Sequence, residues 1–126
     1  MNTSKKLILA IVACATIITI ACKKESDAND PVVTVTSPTE GQSFANGDSA
    51  LVAFTITDAD MHGYDFRIIN TTNGDTLFLA DEHTHGNITF SQKYKLPSVA
   101  TQMRLILTGE DHNENTTTKT VNFHTM

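Results

Sequence analysis

The sequence predicts an all-β fold, an antiparallel β-sandwich of about seven strands that follows an N-terminal signal segment. Short stretches from residue 32 onward alternate apolar and polar residues, as strands with one buried face do. Turn-forming residues separate these stretches at intervals of about ten to fifteen residues. No segment after Cys22 has a helical period, so the apolar faces must be buried between two sheets.

The first two predicted strands lie on either side of a long turn. Val32–Thr36 alternates Val with Thr, and Leu51–Thr57 places Val52, Phe54 and Ile56 on one face. Between them, the segment from Ser37 to Asp48 is rich in Pro, Gly, Asn and Asp, which favour turns. We therefore expect no strand between the first two.

The next two strands form a predicted hairpin. Tyr64, Phe66 and Ile68 alternate with polar residues, and Thr76–Ala80 returns after Asn73-Gly74. Asn-Gly between alternating segments is a strong hairpin signal.

The last three predicted strands complete the second half of the sandwich. Ile88–Tyr94 ends at Leu96-Pro97, and Gln102–Thr108 pairs with Thr117–His124. The predicted inward residues are Ile88, Phe90, Tyr94, Met103, Leu105, Leu107, Val121 and Phe123.

The N-terminus has the three parts of a secretory signal. Lys5 and Lys6 precede an apolar run that extends from Leu7 to Ala21, and this run is shorter than the roughly 20 residues of a membrane-spanning helix. Thr19-Ile20-Ala21-Cys22 resembles the lipobox of bacterial lipoproteins, although the family prefers Leu at the position of Thr19. The resemblance implies cleavage before Cys22 and acylation of that cysteine.

Two alternatives to lipidation at Cys22 are open. Ile11-Val12-Ala13-Cys14 is a rival box, but it leaves only seven apolar residues before it and an apolar stretch after it. The other alternative is an ordinary secreted protein cut nearby, or an uncleaved anchor. The favoured organisation is a signal peptide over residues 1–21, a flexible tether over 22–31 and one sandwich domain over 32–126.

The charge of the chain limits its partners. The formal net charge is −5, and removal of residues 1–21 with Lys5 and Lys6 makes it −7. This acidic balance argues against nucleic acid, whose phosphates require Lys and Arg patches. We expect membrane attachment through the N-terminal lipid at the outer membrane, with a periplasmic or surface orientation left open.

The domain resembles uncharacterised bacterial Ig-like lipoprotein domains. Three motifs carry the resemblance: Val33-x-Val35-x-x-Pro38-x-x-Gly41, Tyr94-x-Leu96-Pro97 and Leu105-x-Leu107-x-Gly109 with the polar residues after it. The domain lacks the Trp and the core cysteines of antibody domains. The resemblance therefore implies an architecture more than a function, although some of these proteins carry similar His-x-His segments, here His83-Thr84-His85.

The strand order places four histidines at one end of the sandwich. Alternate connections in such a path lie at the same end, so the connections over 58–63, 81–87 and 109–116 should meet. They contribute His62, His83, His85 and His112, together with many acids. His124 is expected near the opposite end.

These histidines suggest a divalent transition-metal site. His83 and His85 point to the same side of an extended backbone, and neutral imidazoles suit Zn or Cu(II). We expect His62 and His112 to complete the site. Calcium is a less favoured alternative, suggested by Asp58-x-Asp60 and Glu110-Asp111-x-Asn113, because its preferred loop pattern is missing.

The sequence contains no recognisable catalytic motif, so we expect a non-enzymatic protein. A second hypothesis remains open, in which His and Asp occur in these loops only because the loops are exposed to solvent and tolerate polar residues. The domain would then be a structural or interaction module that binds an envelope protein or a glycan without metal.

Overall fold

The computed structural model describes residues 29–126, and in that part the chain is built from eight β-strands without a helix. Cys22, the signal segment 1–21 and residues 22–28 of the predicted tether lie outside the described residues. The strands, in chain order, are β1 (Val32–Ser37), β2 (Gln42–Phe44), β3 (Ser49–Thr57), β4 (Met61–Asn70), β5 (Thr76–His83), β6 (Ile88–Lys95), β7 (Gln102–Asp111) and β8 (Thr116–Thr125).

The strands form two sheets that face each other. One sheet has the order β1-β3-β6, and the other has the order β2-β8-β7-β4-β5. All pairs are antiparallel except the short parallel pair of β2 with β8. This division into two sheets is that of immunoglobulin-like sandwiches, so the predicted fold class is confirmed.

The core lies between the two sheets and is rich in aromatic rings. Phe54 of β3 stacks on Phe90 of β6 with ring centroids 4.7 Å apart, and it meets the edge of Phe66 across the sandwich at 5.8 Å. The buried apolar residues extend from Val33 to Phe123. A single apolar core thus lies entirely within the described residues.

The predicted inward faces are largely confirmed. The buried set includes Val52, Phe54, Ile56, Tyr64, Phe66, Ile68, Met103, Leu105, Leu107 and Phe123. The predicted residues Ile88, Phe90, Tyr94 and Val121 are only partly buried and pack against that set. Both β5 and β6 are edge strands, which explains why the residues of β6 are less completely covered.

Two expectations about the strands were wrong. An eighth strand, β2, forms in the segment that turn residues led us to leave without a strand, because its backbone pairs with the end of β8. In addition, β4 begins earlier and β5 ends later than predicted. His62 and His83 therefore lie on strands and not in loops.

No helix of the described residues is long and apolar enough to cross a membrane. Pro31, the last residue of the predicted tether, is buried.

Candidate metal centre

The structure brings His62, His83, His85 and His112 together at one end of the sandwich. The His62 ring lies edge-on to His83, with centroids 4.3 Å apart, and edge-on to His112 at 4.8 Å. His85 stacks on His112 at 5.1 Å and meets the edge of His83 at 5.0 Å. The four residues come from three chain segments, which we call the loop end: residues 58–62, 83–87 and 111–115.

Strand β4 positions two of these segments because it lies between β5 and β7. Gly63 pairs with His83 on one side and with Glu110 on the other. The pairing of β4 with β7 shifts between Met61 and Gly63, so His62 is the extra residue of a β-bulge. Such bulges change the direction of a side chain at the end of a ladder.

Gly63 permits the close contact of β4 with β5 at this point. A Cβ atom at position 63 would lie 2.7 Å from the carbonyl oxygen of Glu82, which is closer than such atoms approach each other. The sequence did not identify this role of Gly63. An isolated glycine in a strand can mark a bulge, a bend or a close backbone contact, and the sequence does not show which.

Backbone hydrogen bonds connect the three segments. The amide of Thr84 donates to the carbonyl oxygen of His62 at 3.1 Å, and the amide of His112 donates to that of Asp60 at 3.0 Å. The amide of Asp58 donates to the side chain of Asn87 at 3.2 Å. The histidines are thus carried by a connected backbone frame.

Asp111 holds the loop that carries His112. Its side chain is 1% exposed, and its carboxylate accepts hydrogen bonds from the amides of Asn113 and Asn115 at 2.7 and 2.9 Å and from the Asn115 side chain at 2.7 Å. Burial alone raises the pKa of Asp111, but these hydrogen bonds outweigh it, so its pKa lies below the ordinary value. Asp111 is a structural residue of the loop.

Three of the imidazoles, those of His62, His85 and His112, contact one another through their nitrogen atoms. The Nδ1 atoms of His62 and His112 are 3.1 Å apart, and His85 Nδ1 is 3.1 Å from His112 Nε2. A neutral imidazole has one N–H donor and one acceptor nitrogen. Neutral His112 therefore donates to one neighbour and accepts from the other.

These nitrogen separations are close to those of ligands on one metal ion. With metal–nitrogen bonds of about 2.0–2.1 Å, adjacent ligand nitrogens lie about 3.3 Å apart in a tetrahedral site and about 2.9 Å apart at a right angle. In the described residues, however, no group of three or more His, Cys, Asp or Glu side chains is arranged to hold a metal ion. His112 directs its two nitrogens to different neighbours, and ring rotation is needed before three donors face one point.

Crowding of the rings changes the acidity of His83. Although His83 is an exposed residue, partial loss of water around its ring lowers its pKa, and the neighbouring His62, His85 and His112 lower it further. The neutral form, which can bind metal, is thereby favoured.

Carboxylates surround the histidines. The segments 57–63, 81–88 and 108–117 contain no Lys or Arg, and they carry seven acids: Asp58, Asp60, Asp81, Glu82, Glu110, Asp111 and Glu114. A depression of about 380 Å³ lies beside His62 and His83, and Asp65, Asp81 and Glu110 are among its lining residues. This end of the domain is therefore suited to attract cations.

Two of the four carboxylates proposed as calcium ligands accept hydrogen bonds within their own turns. Asp58 accepts a hydrogen bond from the amide of Asp60 at 2.7 Å, and both oxygens of Asp111 accept hydrogen bonds within its own loop. The spacing that suggested calcium is thus used for turn formation.

His124 lies away from the cluster, as expected. It pairs with Gln102 at the start of β7, whereas the cluster adjoins Asp111 at the end of that strand. The strand between them spans about 30 Å at about 3.3 Å per residue.

Comparisons with known proteins support the fold and leave the function open. No family model matches the sequence, and no curated protein is significantly similar to it. A crystal structure of an engineered protein is similar, with a TM-score of 0.53 and 15% sequence identity over 77% of this chain. The match covers 20% of the engineered protein's length, so it shows a shared β architecture alone.

The lowered pKa of His83 predicts that metal-free protein loses stability in mild acid. The unfolded chain takes up a proton near pH 6.5 while folded His83 resists it, so the free energy of unfolding should decrease as the pH falls below about 6.5. Urea denaturation of residues 23–126 between pH 7.5 and 5.5 measures this slope. His83→Ala should reduce the slope, whereas His124→Ala should preserve it. An unchanged slope in His83→Ala would contradict the prediction.

Removal of the Asp111 carboxylate should free the loop that carries His112. In Asp111→Ala we expect a lower melting temperature and faster hydrogen exchange of the Asn115 amide, because that amide loses its acceptor. The neighbouring variant Glu110→Ala is the control and should leave the exchange of Asn115 unchanged. Equal exchange rates in both variants would show that Asp111 does not hold the loop.

Proposed function

We propose that the protein is a lipid-anchored, non-enzymatic lipoprotein of the bacterial cell envelope whose Ig-like domain binds a divalent transition-metal ion at the loop end. His62, His83, His85 and His112 are the proposed ligands. The metal is Zn or Cu(II), with calcium less favoured. One observation carries the proposal: four imidazoles from three segments contact one another at one end of the sandwich.

The close packing of the imidazoles favours a ligand role over the alternative, in which they are solvent-exposed loop residues without a function. The rings belong to residues up to 50 positions apart, and two pairs have nitrogen atoms at 3.1 Å. The crowding lowers the pKa of His83, which favours the neutral form of that ring. Neutral rings offer lone pairs to a cation.

The donor types support a transition metal over calcium. Imidazole nitrogen is a good ligand for Zn and Cu, whereas calcium takes oxygen ligands. The carboxylates at the loop end supply a favourable field for either ion, but the atoms in mutual contact are nitrogens. The surrounding acids therefore raise the local cation concentration without determining which ion binds.

The lipid anchor rests on the sequence alone. The cationic start, the apolar run and the lipobox-like residues before Cys22 support it, and the described domain itself offers an acidic surface that would not dock on anionic lipid. The acyl chains would then provide the attachment, and residues 22–31 would separate the domain from the membrane.

Metal binding should stabilise the domain. We expect the melting temperature of chelator-treated residues 23–126 to rise when Zn or Cu(II) is added, because an ion that binds only the folded form stabilises it by about 2.7 kcal/mol at a hundredfold excess over Kd. The paired substitution His83→Ala with His85→Ala should abolish this rise. The measurement is thermal denaturation followed by circular dichroism, on protein without a histidine tag.

The control for this experiment is His124→Ala, which removes a histidine from the opposite end of the same domain. It should retain the full metal-dependent rise. Absence of any rise in the wild type, or an equal rise in the paired variant, would reject the metal site and leave the interaction module as the function.

Lipidation at Cys22 can be tested independently of metal. Cells that express the full chain should incorporate labelled palmitate into the protein, and Cys22→Ser should lose the label and accumulate unprocessed chain. Cys14→Ser is the matched control because it alters the rival box, and it should keep the label. Loss of label in Cys14→Ser alone would assign the lipid to the other cysteine.

A further inference from the structure

His112 differs from the other three histidines because both of its ring nitrogens are in contact with another imidazole. Its Nδ1 faces Nδ1 of His62, and its Nε2 faces Nδ1 of His85, each at 3.1 Å. Nδ1 and Nε2 point out of different sides of the ring, so one ion cannot be bound by both atoms. The ring therefore has two separate places where a neighbouring imidazole could share a metal with it.

We infer that the loop end binds two divalent transition-metal ions, with the His112 imidazolate as the bridge between them. One ion lies between His62 and His112, and the other lies between His85 and His112. The inference rests on the proposed function, since it requires that the cluster bind metal at all. It adds the number of ions and the role of the shared ring.

The ring positions are consistent with two adjacent ions. His83 packs edge-on against His62 at 4.3 Å and against His85 at 5.0 Å, so it stands beside both places, but its centroid is 6.5 Å from that of His112. His83 can thus supply a third ligand to one of the two ions, and water can complete each coordination sphere.

The proton balance of the bridge is simple. Neutral His112 carries one N–H proton, which lies in one of its two N–H···N hydrogen bonds. When a metal–nitrogen bond forms at each ring nitrogen, that proton is released to water and the ring becomes an imidazolate. His62 and His85 bind through their Nδ1 lone pairs as neutral rings, with the proton on Nε2.

Titration with Cu(II) followed by electron paramagnetic resonance tests the inference. Residues 23–126, which include the complete described core, should bind two Cu(II) per chain by mass spectrometry under native conditions. The first equivalent should give an ordinary copper signal. The second should reduce the signal per copper, because an imidazolate bridge couples the two unpaired electrons antiparallel.

Two single variants separate the two positions. His62→Ala should remove one ion and His85→Ala the other, so each variant should bind one Cu(II) with an uncoupled signal of full intensity. His124→Ala should behave as the wild type does. Circular dichroism of each variant without metal confirms that the sandwich is retained.

The possible results distinguish this inference from the proposed function. One Cu(II) per wild-type chain would overturn the bridge while leaving the metal site in place. Two ions with an undiminished signal, or two ions retained in both His62→Ala and His85→Ala, would also overturn it. No bound Cu(II) would reject the proposed function together with the inference.

Discussion

The pairing of β4 with both β5 and β7 is the constraint on which the loop end depends. Gly63 stands between His83 and Glu110 in the same row of the sheet, and His62, the extra residue of the bulge, lies one residue earlier in β4. The lack of a side chain at Gly63 lets the β5 backbone come close at this point. The positions of His62 and His83 thus follow from backbone pairing.

The electrostatics of the loop end depend on a balance between crowded bases and nearby acids. Loss of water around the crowded His83 ring and its three neighbouring imidazoles lower the pKa of His83 and so favour its neutral form. The surrounding carboxylates attract positive charge, but the carboxylate of Asp111 is already satisfied by its own loop. The result is a group of imidazole nitrogens beside an acidic rim, an arrangement that favours the proposed binding of a cation.

The sequence predicted the sandwich and the grouping of the histidines because both depend on periodicity and strand order. Alternation in Val52, Phe54 and Ile56 identified a buried face. The connection rule placed four histidines at one end, namely His62, His83, His85 and His112. The strand ends were less predictable, since pairing with a neighbour extends β5 as far as His83. A strand as short as β2 left no periodic signal, because three residues cannot display an alternating pattern.

The roles of Asp111 and Gly63 could not be predicted from periodicity. Asp111 followed by Asn113 and Asn115 is a pattern for turns as well as for calcium ligands, and only the buried carboxylate with its three donors distinguishes them. The nitrogen contacts of His112 could not be predicted from the sequence either, because the orientation of a ring depends on side-chain packing. Spacing alone brings residues to one end without orienting their atoms.

The origin of the histidines in three distant segments has a consequence for the order of folding. His62 and His83 become neighbours when the local β4–β5 hairpin forms. His112 joins them only when β7 pairs with β4, in which the paired residues Gly63 and Glu110 are 47 positions apart in the chain. Non-local pairing of this kind is the slow part of folding in β proteins. The four imidazoles therefore come together late in folding. A chain in which the cluster is assembled has already paired β7 with β4 in the five-stranded sheet.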